Sequence, residues 1–145
     1  MKRIALDAWE KNKDRIRSYI GGHIYRTGPA KENFGGIAVD KEVFLEEILN
    51  IAYGDAEHRL YFQLVDFGDW QGTLIAIFSE GNNYQPSVYQ THYAVLEYGS
   101  CSGCDAILAA TCVDDLCTIA KDIVLSAKPI DEAHCDSKWA EDCTV

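Results

Sequence analysis

Apolar side chains recur at helical spacing through the first twenty residues. Ala5, Trp9, Ile16 and Ile20 share one face, while Lys11, Lys13, Asp14, Arg15 and Arg17 lie mostly elsewhere. This predicts an amphipathic helix over 4–20, stopped by Gly21-Gly22. Residues 27–36 carry turn chemistry and predict a loop. A second helix is expected over about 40–53, with Asp40 as its cap, Phe44, Ile48 and Ile51 on its apolar face, and Gly54 as its stop. The first helix is basic and the second acidic.

At Leu60 the period changes. Leu60–Val65 and Thr73–Phe78 are rich in aromatic and β-branched residues and predict strands, joined by a turn that holds Asp66, Asp69, Trp70 and two glycines. A loop over Glu80–Ser87 leads to a third strand over Val88–Tyr98, so 60–98 reads as an antiparallel three-stranded meander. Asp105 is placed to cap a short helix reaching about Ala110. A longer helix is expected from about Asp114 to Ala127, with Leu116, Ile119, Ala120, Ile123 and Ala127 on one face and Pro129 closing it. The expected fold class is α+β: one domain over 1–145, a small antiparallel sheet packed with N-terminal and C-terminal helices, and a tail over about 130–145 that is loosely docked.

Charge sharpens this picture. The formal net charge is −10, unevenly spread. Residues 1–31 hold eight Lys or Arg against three acids, a net of +5; the remainder holds five against twenty, a net of −15. Between Leu60 and Ala120 there is no Lys or Arg at all. A surface of this sign repels nucleic-acid phosphates and favours a basic partner, such as a nucleic-acid-binding protein. No apolar run approaches the roughly 18 residues of a membrane span, and the N-terminus turns charged too early for a secretory segment, so a cytoplasmic protein with no membrane contact is expected. The basic first helix is expected to be a solvated face or to pair with the acidic second helix, within the fold or in a homo-oligomer.

The six cysteines all follow residue 100. Cys101-Ser-Gly-Cys104 has the spacing with which two sulfurs grip one zinc; Cys112 and Cys117 are the nearest further ligands, and His134, Cys135 and Cys143 more distant ones. A redox role would need a lowered thiol pKa, yet Asp105 follows Cys104 and no cation lies nearby in the sequence. A nucleophilic Cys101 with His92 as base is a further alternative. In the simplest account, Gly99 and Gly103 make a turn over small buried cysteines. The carboxylates Asp66, Asp69, Glu97 and Asp105 fall at strand ends and turns, without the spacing of a calcium loop. Tyr84 lies on a loop tip, where aromatics serve as interface contacts.

The turn Asp69-Trp-Gln-Gly72, followed after a strand by Tyr98-Gly-Ser-Cys-Ser-Gly-Cys-Asp105, resembles a signature of small phage- and prophage-encoded proteins of no established activity. The resemblance covers about residues 60–110 and carries over no catalytic residue. It implies a phage-type protein in bacterial cytosol that acts by binding host machinery, as an inhibitor of a nucleic-acid-binding or defence protein in the manner of an anti-CRISPR-like factor. Together these observations predict a non-enzymatic interaction protein without a cofactor. Its contact residues are expected among Asp66, Asp69, Trp70, Glu80, Tyr84, Glu97 and Asp105. The alternative is a zinc- or thiol-dependent protein built on Cys101, Cys104, Cys112 and Cys117.

Overall fold

A computed structural model describes residues 2–24, 39–54, 59–68, 71–80, 91–99 and 105–130. Helix α1 (Lys2–Tyr19) buries Ala5, Trp9 and Ile16, the stripe that its period demands. Gly21-Gly22 does not end it. Ile20 is fully buried and holds the chain on the core, and Ile20–Ile24 continues as one wider π-helical turn in which Tyr19 stacks on His23. The first helix also buries a polar residue. Asn12 donates from Nδ2 to the carbonyls of Ala8 (3.0 Å) and Ala52 (3.1 Å). Ala52 lies in the last turn of the next helix, whose carbonyls have no partner within that helix, so Asn12 satisfies an orphan acceptor.

Helix α2 (Lys41–Tyr53) starts where its cap requires: the Asp40 carboxylate accepts from the amides of Glu42 (2.9 Å) and Val43 (3.1 Å). It buries Phe44, Leu45, Ile48, Leu49 and Ala52, while Ile51 is only half-buried. Gly54 ends it in extended backbone, and a Cβ there would run into the Asn50 carbonyl.

Strands β1 (Leu60–Asp66), β2 (Gly72–Glu80) and β3 (Thr91–Tyr98) form the expected meander, antiparallel throughout, with Gln63 opposite Ile77 and Ile77 opposite Tyr93. A fourth strand, β4 (Lys128–Pro129), pairs with His92 and Tyr93, giving the order β1-β2-β3-β4. Pro129 therefore sits in the sheet, beyond the helix end. A two-residue strand has no period to read, which is why the chain shows no sign of it beforehand.

One sheet face carries Leu60, Phe62, Leu74, Ala76, Phe78, Ala94 and Leu96 into the core, where Phe78 meets Tyr53, Phe62 and His92. Helix α3 (Ala106–Ala109) and helix α4 (Val113–Ser126) follow; α4 buries Leu116, Ile119, Ala120, Ile123 and Val124. Helices α2 and α4 lie against the sheet, and α1 packs across both. The fold is α+β, with one cluster of buried residues running through all three layers. No described helix is long and apolar enough to cross a membrane.

Candidate functional site

The two segments that stand out in the sequence meet at their described ends, Gly72 and Tyr98. Gly72 ends the β1–β2 connection and pairs directly with Tyr98, the first residue of the cysteine-bearing segment. The Tyr98 hydroxyl contacts the Asp66 carboxylate and the Gly68 carbonyl. Gly72 leaves room for it: a Cβ there would lie 2.9 Å from that hydroxyl and 2.9 Å from the Gly68 backbone. Asp66 also accepts from the Gly68 amide (3.1 Å), which folds the turn back on its own strand. Its hydrogen bond with Tyr98 holds the Asp66 carboxyl below the usual carboxylate range, helped by the Gly68 amide and by Lys41.

Lys41 corrects the expectation that no cation serves this region. As the first residue of α2 it reaches over the Tyr98 ring, 3.2 Å from the centroid, and stands 3.9 Å from Asp66. Arg17 does the same at α4. It pairs with Asp114 at 2.6 Å and reaches the Cys117 sulfur at 3.8 Å. The basic first helix thus makes its Arg17 ion pair with α4, while it packs on the acidic α2 as well. Burial nevertheless dominates at Cys117 and pushes its thiol up, with Arg17 only partly opposing.

Asp105 is committed to the fold. It is 7% exposed, and its carboxylate accepts from the amides of Ile107 (2.9 Å), Leu108 (3.3 Å) and Gly99 (3.2 Å). Of its two expected roles the structure gives it the cap, and withdraws it from the surface available to a partner. Glu97 is exposed on the open face of β3, opposite Thr73. Asp69, Trp70, Tyr84, Cys101 and Cys104, and the Glu80 side chain, lie outside the described residues, as does the tail over 131–145. Cys112 and Cys117 are free thiols, and among the described residues no three His, Cys, Asp or Glu side chains converge as a metal site.

A surface groove of about 360 Å³ runs between α3 and α4. Ala106, Ala109, Ala110 and Ile119 form its apolar walls, and Asp115, Thr118 and Asp122 its polar side. Asp115 and Asp122 are seven apart on one helix, hence on the same face. Asp115 accepts from the Thr111 amide (2.9 Å) and hydroxyl (3.2 Å), and these bonds hold its carboxyl below the ordinary range. The expected contact residues did not include this groove. The signal available was the run of alanines at 106, 109 and 110 ahead of a helix with acids at i and i+7.

Among the described residues, the lining sets two carboxylates and the Thr118 hydroxyl beside apolar walls and includes no cation. Compared with family models, curated proteins and solved structures, the chain matches none.

Proposed function

We propose that this protein is a small acidic interaction protein that binds a basic surface of another protein and catalyses nothing. The observation that carries this is the acid-sided groove between α3 and α4. Short alanine walls admit a long side chain, and a lysine or arginine lays its apolar stem on Ala109, Ala110 and Ile119 while its charge meets Asp115 and Asp122. Lys121 is the only cation on α4, which leaves that helix acidic towards solvent. The excess of −15 beyond residue 31 adds long-range steering of a basic partner. With the phage-type resemblance of residues 60–110, the partner class that fits is a basic, nucleic-acid-binding or defence protein of a bacterial host cytosol.

Capture from bacterial lysate on immobilised protein tests this. Basic proteins are expected to be retained at about 0.05 M salt and released at about 0.5 M, where screening shortens to a few ångströms. The double variant Asp115→Asn, Asp122→Lys is expected to lose most of that retention. Retention that survives both the salt and the charge change refutes the proposal.

A further inference from the structure

The two edges of the sheet are treated differently. At the β3 edge, Tyr93 is paired with β4, and the Val95 amide donates to the Ser126 hydroxyl at 3.3 Å. At the β1 edge, no strand among the described residues pairs with the far side.

The hydrogen-bond alternation shows what that edge presents. Phe67 donates to the carbonyl of Thr73, the residue opposite it when the register is continued by one step. In an antiparallel pair, bonded and non-bonded positions alternate, so Val65, Gln63 and Tyr61 also bond to β2. The amides and carbonyls of Leu60, Phe62, Leu64 and Asp66 therefore point outward along the free edge. The outward-facing Val95 amide on β3, opposite Ile75, fits the same alternation.

Natural edge strands are blunted by proline, lysine, bulges or short length. Strand β1 has none of these: Leu-Tyr-Phe-Gln-Leu-Val-Asp runs seven residues in unbroken register, and its one charge is the terminal Asp66. It also carries one exposed aromatic, Tyr61 at 45%, and is followed by another, Phe67 at 67%.

We infer that β1 is an association edge, at which a second copy of this chain adds its own β1 antiparallel about a two-fold axis through Gln63. The strand is self-complementary in that register. Leu60 and Phe62 of one copy oppose Asp66 and Leu64 of the other, so that all the outward backbone groups meet. On the open face Gln63 meets Gln63, Tyr61 meets Val65, and Arg59 meets Phe67. These are amide–amide, aromatic–branched and cation–aromatic pairs of the kinds that stabilise adjacent strands. Arg59 is exposed, and no ion pair among the described residues engages it. Closed two-fold pairing also uses up the edge, leaving no template for further addition.

Sedimentation velocity over a dilution series is expected to show a species of twice 16.2 kDa that dissociates on dilution. Amide exchange at Phe62 and Leu64 is expected to slow as concentration rises, while Gln63 and Val65, bonded to β2, stay protected throughout. Gln63→Lys places two ammonium groups opposite each other at an exposed position and is expected to raise the dissociation constant at least tenfold. Arg59→Glu, outside the β1–β2 ladder, is the second variant; it replaces the cation opposite Phe67 of the other copy with an anion and is expected to act in the same direction. A protein that stays monomeric up to about 1 mM overturns the inference. So does a dimer that both variants leave intact.

Discussion

Replacing Asp105 by alanine removes one carboxylate from two structural tasks at once. The first is the α3 cap, in which the side chain accepts from Ile107 and Leu108; losing such a cap costs about 1 kcal/mol. The second is the Gly99 amide, buried at the end of β3, which would be left without an acceptor at a cost of about 1–3 kcal/mol. Relief of the carboxylate's own desolvation offsets part of this. The net loss is therefore expected to be about 2–3 kcal/mol. For 145 residues the unfolding entropy near the midpoint is about 0.3 kcal/mol per kelvin, so the melting temperature should fall by about 7–10 °C. Asparagine keeps an acceptor for the cap but turns an amide donor towards Gly99, and should lose about half as much. Urea denaturation followed by far-UV circular dichroism reads the stabilities. Amide exchange at Gly99, Ile107 and Leu108 shows whether both tasks were lost. An alanine variant within about 0.5 kcal/mol of the parent, the scale of an ordinary surface change, would refute the reasoning.

Two further outcomes follow from the shifted groups. Burial raises the Tyr53 phenol to about 12, and its hydroxyl donates to the Val124 carbonyl at 2.9 Å. The folded state holds this proton more tightly than the unfolded chain, so its stabilising effect is complete below pH 10 and is lost as pH rises from about 10 through 12. Tyr53→Phe should flatten that part of the stability curve measured by denaturation, and an unchanged slope would count against the assignment. Cys117 should react with iodoacetamide at pH 8 more slowly than a free thiol, and more slowly still in Arg17→Gln, where Asp114 acts unopposed; peptide mapping by mass spectrometry that finds equal or faster labelling contradicts this.

Features with a local cause were legible in the chain. Asp40 and Asp105 announce their helices because a cap acts on amides two and three residues away. The meander was readable because alternation over seven to nine residues survives in each strand. What stayed hidden depends on partners far along the chain. Lys41 over Tyr98 and Arg17 against Asp114 place cations in a stretch that has none of its own, and no pattern within residues 60–120 signals either. Asn12 interrupts an apolar stripe and looks like a solvated position until Ala52 arrives 40 residues later. The groove was missed for a related reason: alanines read as helix formers, and only the packing of α3 beside α4 turns them into walls.

The pairing of α1 with α4 has a consequence for how the protein is made. Trp9 and Ile16 of α1, with Ile20 just beyond it, are buried in a helix that packs on α4, made about a hundred residues later. At synthesis rates of about 5–20 residues per second, that stripe waits roughly 5–20 s before it can be shielded. Arg17 finds Asp114 only once α4 has been made. The charge asymmetry of the chain thus carries an order in time: the basic helix is made well before the acidic one with which it pairs.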